Sequence, residues 1–269
     1  MKKIPRIIHQ MAPRDQQTWH PIWRRCQQSW LDHFSGFDYQ LWDAERIEAF
    51  VRDEFPEHYA VFASSPLHII KIDLARFMIL HRYGGIYADM DMYCYGNFYD
   101  ELERHVYLVE VLNQQNDELV QNSLLAGIAG HRFFMTCLSE SLGRLQATDK
   151  TQITRPDKET PDLPMSNYFV RAIAGPILLS HIYSMYPDKS EIGLFPRETY
   201  NAHHLTYRSD YRTKHMLTGR WGEIVLDTLL QRKKARNLAM TDQEFQKLDY
   251  LEFRSVSADN FDFYRNYLE

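Results

Sequence analysis

Apolar and polar positions fall into short blocks along the chain, and each block has a readable period. Ile4 to His9 is an apolar run behind a basic start, the pattern of a buried first strand. Phe37, Tyr39 and Leu41 alternate with polar residues ahead of Asp43, which predicts a second strand, and Trp19 to Phe34 between them has helical character. Asp43 is placed to cap a helix over Ala44 to Phe55, since its carboxylate can accept from free amides of the first turn. Ser65-Pro66 predicts the start of a long helix, a capping hydroxyl followed by a proline whose missing N–H costs nothing there. Ile70, Leu74, Phe77 and Leu80 give that helix an apolar stripe. It is expected to stop after Tyr83, because Gly84-Gly85 accept left-handed backbone easily.

Ile86 to Met92 and Val106 to Leu112 read as further strands. Thr148 to Pro164 is polar, carries three prolines and reads as a long loop. Gly175-Pro176 opens a helix to about Tyr186, and Glu223 to Leu238 looks helical. Strands alternating with helices predict an α/β protein.

Composition narrows the function classes. The 269 residues are 44% hydrophobic, enough for a sizeable core. Charge is mixed with a net of -5, which argues against a nucleic-acid partner. Cys26, Cys94 and Cys137 are odd in number and widely spaced, so they suggest neither a metal pair nor a disulfide framework and fit a reducing, cytoplasmic setting. Met1 to Gln10 is too short for a signal peptide, and no run approaches about 20 apolar residues. Arg232-Lys233-Lys234 is either a solvated helix face or a peripheral dock on an anionic membrane.

The candidate chemistry centres on Asp89-Met90-Asp91. On a strand, residues two apart point to one side, so the pair would set two like charges together, and a divalent cation with phosphate oxygens would neutralise them. The bland reading is two exposed acids at a strand end. Asp73 and Arg76 share a helix face. They form either a surface ion pair or, with Lys71 nearby, a fork aimed at a sugar hydroxyl or phosphate. His9 and Gln10 end the first strand, where α/β folds bind ligands, so they read as contacts for a base or ribose, with His9 as a hydrogen-bonded strand-end residue the alternative. Trp42 reads as a packing residue.

Together, Ile4-Pro5-Arg6-Ile7-Ile8-His9-Gln10, Trp42, Lys71-x-Asp73-x-x-Arg76 and Tyr83-Gly84-Gly85-Ile86-Tyr87-x-Asp89-x-Asp91 resemble the family-32 glycosyltransferases over residues 1 to about 130. That family includes yeast-type mannosyltransferases and bacterial capsule and lipopolysaccharide sugar transferases, and the glucosylating toxins are more distant. The resemblance implies a single GT-A domain over 1–269: a nucleotide-sugar half (1–130), an acceptor-side half (131–222) and a helical tail (223–269). It implies Mn2+ or Mg2+ on Asp89 and Asp91, with Asp89 shared with the ribose. It also implies a nucleotide-sugar donor, UDP-hexose ahead of GDP-mannose, near His9, Gln10, Tyr87 and Trp221. Asp73, Arg76 and Asn122 would act at the transferred sugar. Retained anomeric configuration and a saccharide or lipid-linked saccharide acceptor are implied too.

Beyond residue 130 the likeness thins. The family's His-x-x-x-x-Ser-Trp stretch corresponds to His215 through Trp221, with Arg220 where serine is usual; His203-His204 is a rival for the metal-binding histidine. Three other functions stay open at this level: a toxin-like protein glycosyltransferase, a metal-dependent phosphohydrolase and a carbohydrate-binding module without catalysis.

Overall fold

A computed structural model describes residues 3–65, 67–111, 119–148, 166–201 and 209–216. The first half runs β1 (Ile7–Met11), α1 (Pro21–His33), β2 (Asp38–Trp42), α2 (Ala44–Glu54), α3 (Pro56–Ala63), α4 (His68–Tyr83), β3 (Gly85–Ala88) and β4 (Met92–Cys94). The second half runs β5 (Val106–Glu110), β6 (Val120–Gly127), α5 (Arg132–Ala147), α6 (Ser166–Ile173), α7 (Pro176–Met185), β7 (Ile192–Phe195), α8 (Arg197–Tyr200) and β8 (Thr213–His215). Six strands form one sheet in the order β2-β1-β3-β6-β5-β7, and β4 pairs with β8 in a separate ribbon. The β1 strand is parallel to β2 and β3, and β5 is parallel to β7, whereas β6 runs against both of its neighbours. This is the α/β architecture with a mixed central sheet that the GT-A expectation describes.

Strand pleating divides the core between two layers. Tyr87, Val106, Leu108 and Leu125 face the helical layer containing Leu74, Phe77, Phe133 and Leu178. Their strand neighbours Ile86, Ala88, Tyr107, Val109 and Leu124 pack on the opposite face against Trp30, Phe34 and Phe98. Burial of both faces is what makes these strands read as apolar runs.

Several predicted elements shift. The Asp43 carboxylate caps α2 as expected, accepting from the Arg46 amide at 2.8 Å. Pro56 ends α2 and opens α3, a helix the sequence reading missed. The long helix begins at His68, not at Ser65; Leu67 is extended, and the Ser65 hydroxyl donates to the Leu67 carbonyl instead of capping. Pro66 lies outside the described residues. Ile86 to Met92 is not one strand, because the chain turns at Asp89 to Asp91 between β3 and β4. The first strand starts at Ile7, and the Val106 strand ends at Glu110. Gly175 and Pro176 do open a helix.

Gly84 and Gly85 sit at φ +65 and +100, and a Cβ on either would lie 2.6 Å from a backbone atom, the Ala129 amide nitrogen and the Ile7 carbonyl oxygen respectively. This turn therefore requires glycine at both positions. The three cysteines are free and buried. No helix among the described residues is long and apolar enough to cross a membrane.

Candidate active site

The site forms where β1 and β3 end and β6 begins. The Asp89 amide donates to the Ser123 carbonyl at 2.8 Å, and the Met92 amide closes a turn onto the Asp89 carbonyl at 3.0 Å. Met90 anchors that turn in a small apolar cluster with Ala12 and Trp19. After the turn, β4 pairs with β8 so that Met92 faces His215, and the Met216 amide donates to the Asp91 carbonyl at 2.8 Å. His215 Nε2 thereby lies 3.2 Å from Asp91 Oδ1. One ligand atom each from Asp89, Asp91 and His215 falls within 4.8 Å of the others. Turn geometry brings the two acids together, not the same-side pleating expected from a strand.

Behind the turn, α4 carries Asp73 and Arg76, both buried. Arg76 Nη2 lies 2.8 Å from Asp73 Oδ1 and 3.6 Å from Asp89 Oδ1. Its Nη1 donates to the Asn122 carbonyl, and Asn122 Nδ2 donates to Asp73 Oδ1 at 3.1 Å. Arg76 also lies 4.7 Å above the Tyr87 ring, whose hydroxyl donates to Asp89 Oδ1. Sequence spacing left open a surface ion pair; the structure buries it as one network with Asp89. Burial pushes the Asp73 carboxyl up to about 7, and the Arg76 guanidinium works against that rise. Arg76 Nε is buried with no hydrogen-bond partner among the described residues. Lys71 lies 3.6 Å from Glu48, away from this network.

His9 and Gln10 turn inward. His9 Nε2 pairs with the Gly84 carbonyl at 2.9 Å and Nδ1 accepts from Trp42 Nε1 at 3.2 Å, so both ring nitrogens are engaged inside the protein. This makes His9 a brace for the glycine turn, the hydrogen-bonded strand-end residue that the sequence left open beside a base or ribose contact. Trp42 packs in the core, as read. Gln10 Nε2 donates to the Asp89 carbonyl at 3.2 Å while its Oε1 accepts from Tyr39, so it fixes the Asp89 turn from below.

Burial lowers His9 to about 4 from an ordinary 6.5, against the Gly84 hydrogen bond. A depressed folded value gives stability that is present above pH 6.5 and is lost as pH falls through about 4. The full shift corresponds to about 3 kcal/mol. In a pH titration by NMR, the His9 ring protons should still report neutral imidazole at pH 5; a midpoint near 6.5 would contradict this placement.

Two carboxylates and an imidazole suit a hard or borderline divalent ion such as Mn2+ or Mg2+. The electrostatics fit as well. Burial raises the Asp89 carboxyl, Arg76 opposes the rise, and Asp91 adds to it. Burial alone would lower His215, but Asp91 and then Asp89 outweigh it and hold the imidazole above its usual value. The cluster thus attracts positive charge. Trp221, His203, His204, Arg232-Lys233-Lys234, residues 149–164 of the expected loop and the expected Glu223 to Leu238 helix lie outside the described residues.

Fold and site define an α/β protein with a mixed central sheet whose strand ends gather two aspartates and a histidine. Residues 21–116 match the family described as glycosyltransferase sugar-binding region containing DXD motif. The chain is 36% identical over 96 residues to inositol phosphoceramide mannosyltransferase 1 of Schizosaccharomyces pombe, covering 35% of this chain and 30% of that protein. It is 36% identical over 100 residues to the uncharacterized glycosyltransferase L373 of Acanthamoeba polyphaga mimivirus, covering 37% and 40%. To mannosyl phosphorylinositol ceramide synthase SUR1 of Saccharomyces cerevisiae it is 29% identical over 135 residues, covering 50% and 34%. The matched stretch spans about a third of the length of these curated relatives.

Proposed function

We propose that this protein is a metal-dependent hexosyltransferase, moving a hexose from a nucleotide sugar to a hydroxyl of a saccharide or lipid-linked saccharide. The carrying observation is the convergence of Asp89, Asp91 and His215 beside the buried Asp73–Arg76–Asn122 network. The three convergent groups would hold Mn2+ or Mg2+, which when bound neutralises charge on the leaving diphosphate. Tyr87 and Gln10 orient Asp89 from the side chain and the carbonyl respectively. Asp73 and Asn122 hold the Arg76 fork in place, so it meets the donor sugar without reorganising. The acceptor attacks from the face the diphosphate leaves, giving retention. Asp73 Oδ1 is tied to Arg76 and Asn122, which favours this front-face route over a covalent intermediate on that carboxylate.

Two relatives are named as an inositol phosphoceramide mannosyltransferase and a mannosyl phosphorylinositol ceramide synthase, which supports keeping GDP-mannose beside UDP-hexose as donor and a glycolipid headgroup beside a capsule or lipopolysaccharide saccharide as acceptor. Peripheral docking at a membrane face goes with either lipid-linked acceptor.

Incubation with a panel of nucleotide sugars and Mn2+, followed by released nucleoside diphosphate, tests the reading without an acceptor. One donor should be hydrolysed slowly and EDTA should stop it. Phosphate release from compounds lacking a sugar would instead support a phosphohydrolase, and glycan binding indifferent to metal and nucleotide would support a binding module.

A further inference from the structure

At the opposite end of the sheet lies a second cluster that the proposed transfer reaction does not use. His105 precedes β5 and Glu191 precedes β7, and the register Val106 to Ile192 sets them side by side, with the His105 amide donating to the Glu191 carbonyl at 3.0 Å. On the other flank, Val106 pairs with Gly127 and the Ile128 amide donates to the His105 carbonyl at 2.9 Å. The chain then turns through Gly130, at φ +76, into His131. Three connections remote in sequence thus deliver two imidazoles and a carboxylate to one point, with a ligand atom of each within 4.8 Å of the others.

The separations bear on what the cluster holds. Glu191 Oε1 lies 3.7 Å from His105 Nδ1, and Oε2 lies 3.4 Å from His131 Nε2. A charge-assisted hydrogen bond draws its atoms to about 2.8 Å. Ligands about 2.1 Å from a tetrahedral ion stand about 3.4 Å apart. Both separations exceed a hydrogen bond and lie nearer the second value, with one Glu191 oxygen turned to each imidazole and one ligand atom from each residue within 4.8 Å of the others. His131 is buried, while His105 and Glu191 keep partial exposure that admits water.

We propose that His105, His131 and Glu191 form a second cation site that takes a zinc-class divalent ion, with water completing its shell. Two imidazoles and one carboxylate make this donor set more nitrogen-rich than the aspartate cluster, so the two sites sort ions by chemistry. The ion ties the entry ends of β5 and β7 to the first turn of α5. His131 Nδ1 accepts from the Phe133 amide at 3.2 Å. Zinc on Nε2 leaves the ring proton on Nδ1, so the ion and that cap bond exclude one another.

The test uses the full chain with its aspartate cluster disabled, as Asp89→Asn/Asp91→Asn, titrated calorimetrically with zinc alone. One equivalent should bind. Adding His105→Gln or Glu191→Gln should weaken binding at least 100-fold while the circular dichroism spectrum is unchanged. Amide exchange at Phe133 should quicken when zinc is added to the protein with this trio intact. No zinc binding by the aspartate-disabled protein, or equal binding after the His105 and Glu191 changes, overturns the proposal. His131 is left intact because it caps α5.

Discussion

Asp91→Asn should abolish Mn2+-dependent sugar release while leaving the fold in place. Asp91 contributes a side-chain oxygen to the cluster and a backbone carbonyl to the Met216 amide, and the substitution touches only the first. Loss of the ion's charge stabilisation, taken as about 4 kcal/mol, is about a thousandfold in rate. Stability gives an independent reading. Mn2+ at 100 times its Kd should stabilise the native protein by about 2.7 kcal/mol, and the variant by little. Without metal, the variant loses the Asp91–His215 pair but also the Asp89–Asp91 repulsion, so its melting temperature should move little. The His215 imidazole should titrate lower, since Asp91 is the leading group holding it up. Near-native rates with Mn2+ still bound would remove Asp91 from the metal site.

Arg76→Ala should be the most destabilising single change at the site. It strips the buried Asp73 carboxylate of the cation 2.8 Å away and removes the one near Asp89. Breaking a buried pair from one side costs about 3–5 kcal/mol. Its pH dependence follows from Asp73. With Arg76 present, burial already lifts this carboxyl to about 7, above its ordinary 3.8; without the guanidinium it rises further. A group raised in the fold gives stability that is complete below 3.8 and is lost as pH climbs through the folded value. The native protein stops losing stability from Asp73 near pH 7, whereas the variant goes on losing it. Urea melts should therefore show a larger deficit at pH 8 than at pH 5. Arg76→Lys keeps the charge but not the fork that bridges Asp73 and the Asn122 carbonyl, so it should recover part of the stability and little of the activity. A deficit independent of pH would mean that Asp73 is not the group left exposed to the loss.

Local signals carried much of the fold into the sequence. The Asp43 cap, the stripe on α4, the Gly84-Gly85 stop and the Gly175-Pro176 start each depend on residues within a turn or two of one another, and each lies at or near its expected place. The misreadings have local causes as well. Ser65-Pro66 has the form of a helix start, but the Ser65 hydroxyl found a carbonyl two residues ahead. The β6 strand went unread because Val120–Gly127 is buried on both faces over most of its length and shows no clean alternation. α5 was missed although His131 caps it, because histidine is a weak capping signal.

The sequence by itself determined the α/β class, the aspartate pair, and Asp73 and Arg76 on one helix face, since these follow from periodicity and short spacing. The tertiary structure decided which residues meet. Pairing of β4 with β8 brings His215 to Asp91. The reversed β6 brings Asn122 to Asp73. His9 and Gln10, open between ligand contact and strand-end hydrogen bonding in the sequence, are engaged as braces inside the protein. Burial then raised Asp73 and made its pair with Arg76 consequential. Strand order, register and desolvation are properties of contacts between distant segments, and no short-range pattern encodes them.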